Sequence, residues 1–474
     1  MHLSIICAIL GLFLLIFSLT MLMPIIIALY YNEATTDIFL LAFTVTAFIG
    51  AILWLPNKST SYNLRTRDGF LITTLFWLVL GLFGALPLYM TDAISLTLTD
   101  AIFESLSGLT TTGATVISGL DDLPRSILYY RQQLQWLGGI GIIVIAIAIF
   151  PILKIGGMQL FQSEFSSKEE KVLPRTTKIA TGIGFVYFFL TIICSFSLFI
   201  TGMSGFDSLA HGMTIIATGG FSTKDMSIGF FDSVYIEVVT IFFMILSSLP
   251  FILLFQSIRG KLIDLVTSSQ VRFFLILVSS VTILVAFWLK RYYEVDFFQS
   301  LRISAFAVTS ISTGSGFSTY DFSVWGSFTT LLFLFLMLIG GCSGSSSCGL
   351  KIFRIQILIK SSLNLIKKII QPRGVFIPTY NSREISEDIL TSVTGYFFLY
   401  IFVFATLSLV LAFDGQEILT SLSGAAATLA NVGPGLNEII GPSGNYSSIS
   451  DFTKLFLSLG MLIGRLELFP ILIL

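Results

Sequence analysis

Apolar residues fall in long unbroken runs, and from Phe70 onward those runs follow a recurring order. Two runs open the chain, Leu3–Tyr30 and Ile38–Leu55. Each is long enough for a helix to cross a bilayer core, which takes about 20 residues. A unit then recurs: an apolar run, a short segment rich in Gly, Ser and Thr, and a second apolar run. The first copy comprises Phe70–Tyr89, Asp100–Thr115 and Leu134–Leu153. The second comprises Ile183–Thr201, Phe206–Phe221 and Tyr235–Phe255. Phe273–Leu289, Phe297–Phe317 and Phe328–Ile359 make the third, and Val393–Phe413, Ile418–Leu436 and Phe452–Leu474 the fourth. The first middle segment, Asp100–Thr115, is too short and too polar to span. The pattern predicts ten spans and four re-entrant segments. The expected fold is an all-α membrane protein of four span–pore-loop–span repeats in pseudo-fourfold arrangement, preceded by two N-terminal spans. The boundaries read as 1–69 for those spans, then 70–178, 179–271, 272–390 and 391–474 for the repeats.

Composition narrows the class. Of 474 residues, 55% are hydrophobic and 11% charged, where a soluble domain carries roughly a quarter charged residues. That excludes a soluble globular enzyme and a disordered chain. Cys7 and Cys194 lie in apolar runs, Cys342 and Cys348 in a Gly/Ser stretch, and no spacing among them suggests a disulfide framework or a zinc cage. Of the two histidines, His2 is terminal, and His211 reads as a packed or hydrogen-bonded side chain. The N-terminus lacks a basic n-region and a small-residue cleavage site, so it reads as a retained span.

The re-entrant segments resemble one another. They read Ser107-Gly-Leu-Thr-Thr-Thr-Gly113, Ile215-Ile-Ala-Thr-Gly219, Ser310-Ile-Ser-Thr-Gly314 and Thr428-Leu-Ala-Asn-Val-Gly433. The four glycines are 106, 95 and 119 residues apart, too far for a solenoid period. A proline step recurs in three second spans: Phe150–Leu153, Pro250–Leu253 and Phe469–Leu472. Charge sets the orientation: loops 56–69, 154–178, 256–272 and 351–390 hold 18 of the 26 Lys and Arg residues. By the positive-inside rule the N-terminus is then cytoplasmic and the four segments enter from outside.

Non-helical backbone at membrane depth is tolerated only where protein buries it or water reaches it. Four such segments around one axis turn carbonyl oxygens inward, where they replace the hydration shell of an alkali cation. Glycine permits the positive φ that aligns successive carbonyls, and the C-terminus of each short helix aims negative potential at the ion. The candidate filter is Thr111, Thr112, Gly113, Thr218, Gly219, Thr313, Gly314, Asn431, Val432 and Gly433, with Gly113, Gly219, Gly314 and Gly433 central. The ordinary reading of any one of these glycines is close helix packing.

Several motifs together resemble the TrkH/KtrB/HKT superfamily of potassium transporters. The first pore loop is Phe103-Glu-Ser-Leu-Ser-Gly-Leu-Thr-Thr-Thr-Gly-Ala114; Ala217–Thr223 and Asn431–Leu436 resemble the second and fourth. Gln135–Ile143, Gly340–Lys351 and Gly464-Arg-Leu-Glu467 are similar to the TrkH branch. The resemblance implies a potassium-conducting subunit in the bacterial inner membrane, with K+ as the bound ion and one filter glycine per repeat. It also implies a homodimer and a TrkA-type cytosolic nucleotide-binding ring partner. Cys342 and Cys348 depart from the small residues usual there. In the second loop Gly219-Gly220-Phe221 is one residue shorter than Gly314-Ser315-Gly316-Phe317, which leaves the match of Gly219 rather than Gly220 open.

The stretch Gly340, Gly341, Cys342, Ser343, Gly344, Ser345, Ser346, Ser347, Cys348, Gly349 interrupts the second span of repeat three. Ten residues of Gly, Ser and Cys make no stable helix, so the span breaks around a flexible loop. With Lys351 and Arg465 it forms the candidate gate, the role the resemblance implies for it. A phosphate-binding loop is excluded because Leu350 precedes Lys351 and no Gly-Lys-Ser/Thr follows. Arg465 sits mid-span, where a charge costs at least about 2.5–3.5 kcal/mol unless it meets water or a partner. Glu467, two residues on, lies on another helix face. Arg465 is therefore expected to face the pore, impede cations and bond the gate loop; the alternative is a buried structural ion pair. Lys351–Leu390 carries seven Lys and Arg residues and three acids, a docking surface for an acidic partner or for anionic lipid, and Lys154–Lys178 is a candidate extension of it. Asp92, Asp100, Asp121, Asp122 and Asp225 read as solvated loop acids or as cation concentrators, and Glu104 as a brace for the first loop. A sodium-conducting, or Na+- or H+-coupled, relative is the competing function. Intact glycines argue against sodium selectivity, and no ionisable relay crosses the spans. No Ser/His/Asp or paired-Asp site points to an enzyme, and nothing points to nucleic acid.

Overall fold

The computed structural model describes residues 3–58, 66–148, 172–381 and 383–468. Among these, helices dominate, and the only paired strands form the two-residue hairpin Thr379–Tyr380 with Arg383–Glu384. The proline steps at Phe150–Leu153 and Phe469–Leu472, part of the loop 56–69 and most of the basic loop 154–178 lie outside the described residues.

The N-terminal helices Leu3–Thr20 and Leu22–Tyr31 form one continuous apolar run that packs along Thr36–Trp54. Glycine makes that approach possible: a Cβ at Gly11 would lie 2.6 Å from the Trp54 amide nitrogen. Asn32 closes the first helix in the left-handed region (φ 55°), and the Glu33 amide returns to the Ala28 carbonyl. Leu12, Ile16, Ile26, Phe48 and Ile52 point outward, as a lipid-facing surface requires.

Four units of one order follow. Thr66–Gly84 with Leu86–Met90 leads to the pore helix Leu98–Leu109 and then to Arg125–Ala148. Val172–Ile200 leads to the pore helix Gly205–Ala217 and Val234–Ser247. Ser269–Tyr293 leads to Phe297–Thr313 and Ser327–Leu338, and Glu387–Phe413 leads to Ile418–Leu429 and Asp451–Arg465. Polar side chains start three of the pore helices. Thr97 and Asp100 form a capping box, Ser204 accepts from the Asp207 amide, and Asp296 accepts from the Phe298 amide. After its first turn each pore helix is largely buried.

Among the described residues, fewer helices than the expected ten are long and apolar enough to span by themselves. Six described helices are long and apolar enough to cross a membrane, and seven if a bent pair counts as one. The reason lies in the second helix of the units. In the second unit Val234–Ser247 and Phe251–Ile258 meet at 101°, where Pro250 starts the new helix without an amide to donate. The third unit breaks at Leu338 and resumes at Ile352, and in the fourth the helix Asp451–Arg465 has only 15 residues. Hydropathy counts apolar residues and is blind to such interruptions.

Candidate functional site

The four loops after the pore helices share one backbone register. In each, two residues with positive φ flank a third: Thr111 and Gly113, Thr218 and Gly220, Gly314 and Gly316, Asn431 and Gly433. The middle amide always returns to the carbonyl five residues back. Thr112 bonds to Ser107, Gly219 to Thr214 and Ser315 to Ser310 at 2.9 Å, and Val432 to Ala427 at 2.8 Å. The second glycine of each pair abuts the next loop. A Cβ at Gly113 would lie 2.2 Å from the Gly219 oxygen, one at Gly220 2.0 Å from Ser315 O, one at Gly316 2.1 Å from Val432 O, and one at Gly433 2.6 Å from Thr112 O. The order runs from the first loop to the fourth and back to the first, so the four strands close on one another. Gly113, Gly220, Gly316 and Gly433 also line one cavity of about 220 Å³, together with Lys224, Asp225 and Tyr446.

This register corrects two expected positions. Gly220 and Gly316, not Gly219 and Gly314, are the equivalents of Gly113 and Gly433. Gly314 occupies the left-handed turn that Thr111, Thr218 and Asn431 fill in the other loops. Gly219 has another cause: a Cβ there would lie 2.4 Å from the Gln135 side-chain amide. Thr111, Thr112, Thr218, Asn431 and Val432 lie in the strands at the turn and middle positions, and Thr313 lies one residue before the turn.

Side chains fasten each strand from behind. Thr110 bonds to Thr112 at 2.7 Å and Thr313 to Ser315 at 2.9 Å, the same i,i+2 hydroxyl pair in the first and third loops. Asn431 Nδ2 donates to Thr112 Oγ1 at 2.7 Å and to Met461 O at 3.0 Å, tying the fourth loop to the first. Tyr446 donates to the Gly433 carbonyl at 2.9 Å. Glu104, fully buried, accepts from Thr115 Oγ1 and from the Val116 amide, each at 3.0 Å. Its partner is Arg131, also buried, at 2.7 Å, which reaches on to Ser222 O and stacks over Phe221 in the second loop. Removing one member of a buried pair strands the other charge, at about 3–5 kcal/mol. Arg131→Met is therefore expected to lower the melting temperature in detergent by several degrees; a shift within about one degree would contradict this brace.

His211 is packed as expected, with Nδ1 against Asp207 O and Nε2 against Ser222 Oγ. Three of the five loop acids have partners. Asp100 holds Lys454, Asp121 holds Lys224, and Asp225 accepts from the Leu120 amide. Burial works against the Asp100 carboxylate, but Lys454 and Thr97 outweigh it and hold its pKa below the usual value.

The segment Gly340–Gly349 lies buried on the other side of the third loop. Its ends are joined: the Gly340 amide donates to Leu350 O and the Leu350 amide to Leu338 O, both at 3.0 Å. Between them the chain reaches several elements. Cys342 N donates to Ser248 O, Ser343 N to Gln270 Oε1, and Ser346 Oγ to Ile216 O at the end of the second pore helix. Phe251 N donates to Gly344 O, Ser345 closes on Cys342 O, and Gly341 N donates to Ser347 Oγ. Gly314 faces this segment, since a Cβ there would lie 3.8 Å from Ser347 Oγ. Lys351 donates to Ser347 O.

Arg465 is 1% exposed and meets no carboxylate among the described residues. Its guanidinium donates to Ser346 O at 3.0 Å, to Cys348 Sγ at 2.7 Å and to Gly138 O at 2.9 Å. Glu467 pairs instead with Arg354. The expected contact with the loop is present, and no ion pair of Arg465 is seen among the described residues. Arg131, Arg354 and Gln135 were missed by sequence reasoning. The available signal was a charged or amide side chain within an otherwise apolar segment.

Four helical units whose loops close on one another, with a polar segment packed beneath one of them, define a pore-loop membrane protein. The chain belongs to the TrkH family of cation transport proteins, which it matches over residues 35–474. It is 42% identical over 479 residues to the Trk system potassium uptake protein TrkH of Halomonas elongata, covering 100% of this chain and 98% of that one. The Trk system potassium uptake protein TrkH of Escherichia coli K12 is 39% identical over 483 residues, with 100% and 98% covered. The crystal structure of the potassium transporter TrkH from Vibrio parahaemolyticus matches with a TM-score of 0.92 at 38% identity, covering 100% of this chain and 98% of that one.

Proposed function

We propose that this chain is the ion-translocating subunit of a potassium uptake system in a bacterial inner membrane. Potassium, the transported ion, sheds its water against backbone carbonyls of the four closed strands. The single observation that carries this reading is the ring: four positive-φ glycines, each against a carbonyl of the next strand. The names of the full-length relatives support potassium as the ion. Gly340–Gly349 is the gate on this reading, and Arg465 is the latch that holds it across the pathway. The latch ties two elements together, the loop at Ser346 and Cys348 and the helix Arg125–Ala148 at Gly138, so moving the loop away from the arginine breaks two contacts at once.

Opening then comes from outside the pore. Ile352–Ile370 continues directly from the loop and exposes Lys367 and Lys368. A cytosolic nucleotide-binding ring docked on that helix would pull on the gate through its covalent continuation, and a homodimer would present two such helices. The N-terminus is cytoplasmic on this reading, which puts the basic helix on the side of the ring.

The test is flux into proteoliposomes holding the purified chain, with K+, Rb+ and Na+ compared, and Gly113→Ser beside the wild type. A hydroxymethyl group at Gly113 meets the Gly219 carbonyl, so the preference for K+ and Rb+ over Na+ is expected to weaken about tenfold. Equal or greater Na+ flux in the wild type overturns the potassium reading and favours a sodium-conducting relative. A closed gate is tested in the same assay with Arg465→Ala.

A further inference from the structure

The second strand is held differently from the first and third. The first and third loops use a hydroxyl pair within the loop, Thr110 with Thr112 and Thr313 with Ser315. The second loop has Ala217 and Gly219 at those positions, and no hydroxyl is available. Its fastening comes from another element. Gln135, on the helix Arg125–Ala148, is fully buried and lies flat on Gly219. Its Nε2 donates to the Gly219 carbonyl at 2.5 Å, and its Oε1 accepts from the Phe221 amide at 3.0 Å. The pair of bonds fixes which end of the amide is which. It also spans Gly220, the glycine that meets the third strand.

We infer that Gln135 is a specificity-determining positioning residue, which sets the width and the carbonyl field of the second quarter of the filter. This rests on the potassium reading above and adds a residue of the first repeat to the second strand. A carbonyl oxygen has two lone pairs, so Gly219 O can accept from Gln135 and still face a cation. Held at both ends, the strand cannot close around a smaller ion, whether selectivity follows from cavity size or from carbonyl field strength. The inference also accounts for Gly219. Its lack of a side chain makes room for the amide, not for a positive φ, which it does not have.

Two substitutions test this. Gln135→Met keeps the length of the side chain and removes both bonds. Gln135→Glu keeps the acceptor for Phe221 N–H and places a negative oxygen against the Gly219 carbonyl. In proteoliposomes, both are expected to raise the ratio of Na+ to Rb+ flux about tenfold, with Rb+ flux retained and the melting temperature in detergent within a few degrees of wild type. Folded variants with an unchanged ratio overturn the inference, and so does failure of both single variants to fold, which assigns Gln135 to packing alone. Non-selective flux in the wild type marks failure of the potassium reading instead.

Discussion

Gly316→Ala is expected to abolish cation flux, by about a hundredfold or more, whereas Gly314→Asn leaves it within about threefold. Both glycines have positive φ, 73° and 72°, so both substitutions carry the left-handed strain of roughly 1–2 kcal/mol. Their surroundings separate them. A methyl group at Gly316 would lie 2.1 Å from the Val432 oxygen and 2.9 Å from Pro434 Cδ, so the third and fourth strands must part. At Gly314 the nearest atom, Asn431 O, is 3.4 Å from an added Cβ, an ordinary contact. Nature already places asparagine in this turn, at Asn431 with φ 54°. A hundredfold loss corresponds to about 2.7 kcal/mol on the limiting barrier, modest for a carbonyl forced out of place. Rubidium uptake into proteoliposomes reads both variants. Equal loss in the two would return Gly314 to the centre of the filter.

Arg465→Ala is expected to raise the flux of the chain alone, without any partner, by about tenfold or more. A hydrogen bond from a charged group contributes about 1.5–3 kcal/mol, and Arg465 makes two to carbonyls and one to a thiol. Tenfold in the open population needs only about 1.4 kcal/mol of that to favour the closed state. Arg465→Lys separates latch from electrostatic barrier. Lysine keeps the charge but loses the planar fork that reaches three acceptors at once. High flux in both variants identifies the latch, and high flux in alanine alone identifies the charge. Reduced flux in alanine contradicts both.

The sequence announced the repeats because each needs two apolar runs and a glycine-marked break, and those are local signals. It announced the irregular segment Gly340–Gly349 because no helix tolerates ten residues of Gly, Ser and Cys, and it announced Arg465 because a lone charge in an apolar run needs a partner. The register of the glycines was not legible. Gly219 stands beside Gly220, and Gly314 two positions before Gly316, so composition offered two choices where only backbone dihedrals decide. Nor were the buried pairs. Glu104 and Arg131 lie 27 residues apart, and Arg354 and Glu467 lie 113 apart. The bend at Pro250 hid from hydropathy for a related reason, because apolar content continues across it.

The closure of the ring has a consequence for biogenesis. The last contact joins Gly433 and Asn431 to Thr112, across 319 residues of chain for the asparagine bond. Loops one to three neighbour the loops before and after them in synthesis, but the fourth completes the circle only when nearly the whole polypeptide has left the ribosome. A nascent chain that has reached residue 400 carries three quarters of a filter with one side unwalled. Contacts of such long range form slowly and late. A protein cut short before its final repeat therefore lacks the wall that closes the ring between the third loop and the first.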